Sequence, residues 1–190
     1  MEEKDREKDE EKVNKIKNIR HTIVVYLTTA VVAIIAMVFL YTVVLINAYI
    51  PSESMENTLM TSDRVIGNRL AYKFGNDPER FDIVIFDAPD NMPGYYIKRI
   101  IGMPGEKVTI KSGKVYINDS SEPLDDSFIR EKMDDEPDME FNVPEDSYFM
   151  LGDNRNSSAD SRYWDYPYVP KEDIVAKASF RYWKGFKWVK

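Results

Sequence analysis

Between His21 and Ser52 the chain carries no Lys, Arg, Asp or Glu, although 31% of its 190 residues are charged. Within that window residues 22–46 are dominated by Val, Ile, Leu, Ala, Phe and Met. At about 1.5 Å per residue such a run, folded as a helix, spans a hydrocarbon layer of roughly 30 Å with length to spare. A buried core helix would be shorter and would carry a polar stripe. A cleavable export signal would have a shorter apolar region, about 7 to 15 residues, followed by a small-x-small site. Here the run leads straight into Asn47, Ala48, Tyr49, Ile50 and Pro51. It is read as a transmembrane anchor that stays attached.

The anchor divides the chain into a charged tail over 1–20, the membrane segment over 21–48 and a larger external part over 49–190. Seven basic residues precede the apolar run (Lys4, Arg6, Lys8, Lys12, Lys15, Lys17, Arg20), and the stretch 53–72 after it has only Arg64 and Arg69. Basic residues stay on the cytoplasmic side, so the tail is expected there and the larger part outside the cell membrane. Seven acids balance the tail's seven bases, and it has too little apolar surface to fold alone. It is expected as a disordered or frayed helical tail. The net charge of −7 then resides on the external part, which disfavours a nucleic-acid partner.

Beyond residue 62 short apolar runs alternate with Gly, Pro, Asn and Asp. They lie at 64–67, 82–86, 95–101, 107–110, 114–117, 148–151 and 174–183. Their length and β-branched content predict strands, with a hairpin turn at Ser112-Gly113 and another turn at Met103-Pro104-Gly105. The external part is therefore expected to be mainly β, a barrel-like or folded-sheet domain. Residues 125–146 stand apart, with ten acids against Arg130 and Lys132. A solvated loop is the plain reading; the spacing lacks the ordered alternation and central glycine of a calcium loop, so no metal is assigned.

Residue counts remove most hydrolytic machinery. There is no Cys and one His, which excludes a thiol nucleophile and a usual zinc site. His21 lies at one end of the apolar span and the domain beyond the other, so it cannot serve as base to an external serine. Lys, Asp, Glu and Tyr remain. Just after the span comes Pro51-Ser52-Glu53-Ser54-Met55-Glu56-Asn57-Thr58-Leu59, which taken alone reads more readily as a linker. In the run at 95–101, period-2 alternation puts Tyr96, Lys98 and Ile100 on one face and Ile97, Arg99 and Ile101 on the other. One of the two cations must face inward, and Lys98, between Tyr96 and Ile100, is the better candidate; a snorkelling surface lysine is the alternative. Burial lowers a lysine pKa, and a neutral amine can take a proton from a serine hydroxyl. A third segment, Gly152-Asp153-Asn154-Arg155-Asn156-Ser157-Ser158-Ala159-Asp160-Ser161-Arg162, is polar enough to be a hydrogen-bonded loop.

Together these segments resemble the bacterial type I signal peptidases. The family pattern Pro-Ser-x-Ser-Met-x-Pro-Thr-Leu matches 51–59, Tyr-Ile-Lys-Arg followed by Gly-x-Pro-Gly matches 96–105, and Gly-Asp-Asn-Arg-x-x-Ser-x-Asp-Ser-Arg matches 152–162. Residues 80–84 are similar to the family's Arg-Gly-Asp-Ile-Val. Two departures are Asn57 in place of Pro, expected to loosen the turn, and Phe81 in place of Gly. The resemblance implies Ser54 as nucleophile, Lys98 as general base, and the Ser54 backbone N–H with the Ser52 hydroxyl as oxyanion hole. It implies that Ser158 orients the Lys98 amine, that Asp160, Arg162 and Arg99 form an ion-pair cluster, and that Met55, Leu59, Tyr96 and Ile97 line the substrate pockets. Signal peptides of exported preproteins, the lipid bilayer and proximity to secretion machinery are the implied partners, and no cofactor is implied. The aromatic and lysine-rich run at 182–188 suits either a last strand or headgroup contact. Other readings are a self-cleaving repressor-type protease, which the anchor argues against, and an anchored β-domain that binds proteins without catalysis.

Overall fold

The computed structural model describes residues 2–90 and 92–189. They form two compact units, Met1–Val43 and Val44–Lys190. The first is helix α1 (Glu2–Phe39), continued by a wider π turn over Leu40–Val44 at the junction. One stretch, Asn14–Val44, is long and apolar enough to cross a membrane. The hydroxyls of Thr28 and Thr29 donate to the Val25 carbonyl and that of Thr42 to the Val38 carbonyl, at 2.8 to 2.9 Å. Polar groups satisfied within the helix in this way are tolerated in lipid. Helix is also continuous through the charged tail, where disorder or fraying was expected, because Glu, Lys and Arg are themselves good helix formers. The helix stops earlier than the apolar run: Leu45 and Ile46, expected within it, begin strand β1 (Leu45–Tyr49).

The second unit is mainly β. Its strands are β2 (Arg64–Asn68), β3 (Ile83–Asp87), β4 (Tyr95–Gly102), β5 (Lys107–Lys111), β6 (Lys114–Ile117), β7 (Met139–Asn142), β8 (Ser147–Leu151), β9 (Val169–Pro170), β10 (Ile174–Arg181) and β11 (Lys187–Trp188). The larger sheet runs β1-β2-β10-β3-β4-β8-β9, with β11 on β10, and a smaller one runs β6-β5-β7. All pairings are antiparallel. The seven strands expected from apolar runs all form, within two residues at each end. The C-terminal run turns back as β11, where Trp188 packs on Phe180 at 5.2 Å between ring centroids.

Alternation sorts the side chains of the central strands onto two cores. Ile101, Phe149 and Leu151 pack with Val108, Ile110 and Val115 of the small sheet. Ile100, Tyr148 and Met150 face the other way, onto Val84, Phe86 and Trp164. Strand β4 is thus covered on both faces from Lys98 onward. That cover decides the environment of its two cations: Lys98 and Arg99 are both buried, although alternation alone required only one to be.

Candidate active site

Residues 51–59 form a tight turned segment after β1. The amides of Glu56, Thr58 and Leu59 donate to the carbonyls of Glu53 and Met55, and Met55 and Leu59 anchor the turn in the apolar core beside Ile50 and Val65. The turn places Ser54 against β4, where Lys98 pairs in register with Val84 of β3. Lys98 Nζ lies 2.6 Å from Ser54 Oγ, and the two residues are only 4% and 7% exposed. Ser52 Oγ is 3.4 Å from Ser54 Oγ. Desolvation lowers the Lys98 pKa from 10.5 to about 8, against the opposing pull of Asp160 and Asp153 and with help from Arg162. The Tyr96 ring centroid stands 5.7 Å from the amine, backed by Phe86 and Trp164.

The third segment docks on the first through backbone. Asn154 N–H donates to the Ser54 carbonyl at 3.0 Å, and the Asn154 side-chain amide to the Glu53 carbonyl at 3.1 Å. Two buried ion pairs hold it. Arg162 binds Asp160 at 2.8 and 3.0 Å, and Asp160 also accepts the Gly152 N–H at 3.0 Å. Arg99, expected in the same cluster, forms the second ion pair. Its partner is Asp153, at 2.6 and 2.7 Å, with Thr58 donating to the same carboxylate at 2.5 Å and the Phe81 carbonyl accepting from Arg99 at 2.8 Å. Asp153 was in the quoted motif, but residue order alone does not reveal which acid meets which arginine. Phe81, in the family's glycine position, has φ of 73°, the left-handed region that disfavours a Cβ.

Ser158 is buried, yet its hydroxyl has no hydrogen-bond partner among the described residues. The expected contact with the Lys98 amine is therefore not made. Ser158 lies against Gly152: a Cβ placed there would collide with Ser158 Oγ and with the Ser54 carbonyl oxygen. Gly152→Ala must push the third segment off the Ser54 turn. Its expected result is a drop in kcat of at least about tenfold with a lowered melting temperature, checked by steady-state kinetics and circular dichroism.

A cavity of about 510 Å³ opens over the Ser54 and Lys98 side chains, walled by Tyr49, Ile50, Ser52, Met55, Tyr96 and Ile97 among others. Leu59, expected in this wall, lies instead in the core beneath Met55 and is fully buried. Two strand stretches flank the cavity. β1 is the end strand of its sheet, and β4 pairs with β3 along 95–99 but with β8 only from Arg99 onward. Among the described residues no cluster of three or more His, Asp or Glu could hold a metal ion.

Similarity to known proteins places this chain, with its buried serine–lysine pair at the floor of a groove, among the signal peptidases. Residues 22–183 match the family model of signal peptidase, peptidase S26. The "Probable signal peptidase I-2" of Synechocystis sp. is 41% identical over 163 residues, 82% of this chain and 71% of that protein. The "Signal peptidase I" of Leptolyngbya laminosa is 41% identical over 145 residues, covering 71% and 67%. A crystal structure of a signal peptidase I from Enterococcus faecalis V583 is 32% identical, covers 54% of this chain and 97% of that one, and has a TM-score of 0.47. The chain belongs to the signal peptidase family, peptidase S26.

Proposed function

We propose that this protein removes signal peptides from exported preproteins, with Ser54 as nucleophile and Lys98 as its general base. The observation that carries the reading is the 2.6 Å approach of a desolvated amine to a buried hydroxyl. A neutral Lys98 takes the Ser54 proton as Oγ attacks the scissile carbonyl carbon. The Ser54 N–H and the Ser52 hydroxyl stabilise the developing oxyanion. The Lys98 ammonium then gives its proton to the leaving amine, and the mature protein departs. Water attacks the acyl ester with Lys98 again as base, which releases the signal peptide and restores the serine.

The substrate lies extended between β1 and the free stretch of β4, adding main-chain hydrogen bonds there, while Met55, Tyr96 and Ile97 limit the side chains admitted next to the cut. The basic excess before the apolar helix keeps the N-terminus cytoplasmic and the catalytic unit on the other side of the cell membrane. Trp183, Phe186 and Trp188 are exposed beside Lys184 and Lys187, an aromatic and cationic surface suited to lipid headgroups.

The test is cleavage of a preprotein by the full chain in detergent or vesicles across pH 6 to 9.5. Protonation of the amine removes the base, so kcat/KM rises about tenfold per pH unit below the pKa of about 8 and levels off above it. A single cut at the end of the signal peptide with that profile is expected. No cut, or a rate flat over this range, overturns the proposal.

A further inference from the structure

The acidic segment, expected as a plain solvated loop, is fastened to both of the segments that meet at Ser54. Its Phe128 ring lies under the Arg99 guanidinium at 4.2 Å and packs on Phe81 at 5.4 Å. Met133 is buried, and its sulfur is 3.4 Å from Arg162 Nη1. Arg130 N–H donates to the Asp153 carbonyl at 3.0 Å, and Asn156 accepts from the Asp134 N–H at 2.9 Å while donating to the Lys132 carbonyl. On the other side Arg130 pairs with Glu56 at 2.7 Å. Between them sits Asn57, whose amide donates to the carbonyls of Phe128 and Ile129 at 2.9 and 3.3 Å.

Asn57 has φ of 91°. Proline, with φ fixed near −65°, cannot take that conformation, and Asn is among the few residues besides Gly that tolerate a positive φ. The exchange of Pro for Asn therefore does not leave the turn loose. The chain replaces a stiff ring by two hydrogen bonds to a neighbouring segment, and that segment has the matching carbonyls in place.

We propose that Asn57 and residues 128–136 form a brace that positions Ser54, with Asn57 as the positioning residue acting through the turn's backbone. The inference rests on Ser54 being the nucleophile. It assigns the acidic segment a part in the reaction rate, while its carboxylates stay largely in solvent. Asn57 is not among the residues lining the cavity, so it sets where Oγ sits and not how substrate is held.

Three variants of the full chain separate the contributions. Asn57→Gly keeps the backbone conformation and removes both donors. Asn57→Asp keeps size and conformational tolerance but points a carboxylate at two carbonyl oxygens. Asn57→Pro removes the donors and forbids the backbone. Preprotein kinetics with the wild type and Ser54→Ala as controls should give kcat falling about 5- to 10-fold for Gly and further for Asp and Pro. KM stays within twofold, the pH limb stays near 8, and the Gly variant melts within a few degrees of wild type. Wild-type kcat in both Gly and Asp variants overturns the brace, as does a loss that only follows the folded fraction. An inactive wild type, or an active Ser54→Ala, instead strikes at the nucleophile assignment.

Discussion

Ser54→Ala and Lys98→Met are each expected to lower preprotein cleavage on the order of a thousandfold or more without unfolding the protein. The first removes the attacking oxygen, and the second removes the nitrogen 2.6 Å from it. Their stabilities should part. Lys98 is 4% exposed, and burial holds its pKa at about 8, so below that pH the fold carries a charge it solvates poorly. Unfolding returns that charge to water. Methionine has nearly the same length without the charge, and its expected melting temperature at pH 7 equals or exceeds that of wild type. Thermal melts followed by circular dichroism, beside the cleavage assay, read both effects. An active Lys98→Met enzyme would falsify the base assignment, and one that melts well below wild type would contradict a costly buried amine.

The second large effect is on stability. Asp153→Ala leaves the Arg99 guanidinium buried without the carboxylate that binds it through two nitrogens, and takes away the acceptor of the Thr58 hydroxyl. Breaking a buried ion pair from one side costs about 3–5 kcal/mol. For a unit of this size the melting temperature then falls on the order of 10 °C. Asp153→Asn keeps the shape and one acceptor, so its loss should be smaller. Activity falls in parallel, because Asp153 and Asn154 are adjacent and Asn154 N–H holds the Ser54 carbonyl. A shift below about 2 °C for Asp153→Ala would show that the remaining partners of Arg99 suffice.

What the sequence revealed and what it concealed follow from the range of the signals. Strands such as β3, β4 and β8 were legible because each carries a dense apolar run cut off by turn residues. Strand β1 was not, since Leu45 and Ile46 continue the apolar helix without a break, and an unbroken apolar run has no period to read. Strand β7 lies among acids: Met139 and Phe141 alternate with Glu140 and Asn142, too short a pattern to stand out from its surroundings. The proposed serine and lysine were named through motifs, and their side chains meet across two segments. The pairing of Arg99 with Asp153, the core position of Leu59 and the unpartnered hydroxyl of Ser158 among the described residues depend on distances between separate segments. Nothing local to those residues encodes them.

The Asn154 to Ser54 hydrogen bond joins residues a hundred positions apart. During synthesis the serine leaves the ribosome early, and the lysine follows 44 residues later. The loop that clamps the serine turn arrives only after β8. A half-made chain thus holds the proposed serine and lysine but not the scaffold that aligns them, so it is expected to be inert toward neighbouring polypeptides until translation is nearly over. Chain order by itself would supply that delay.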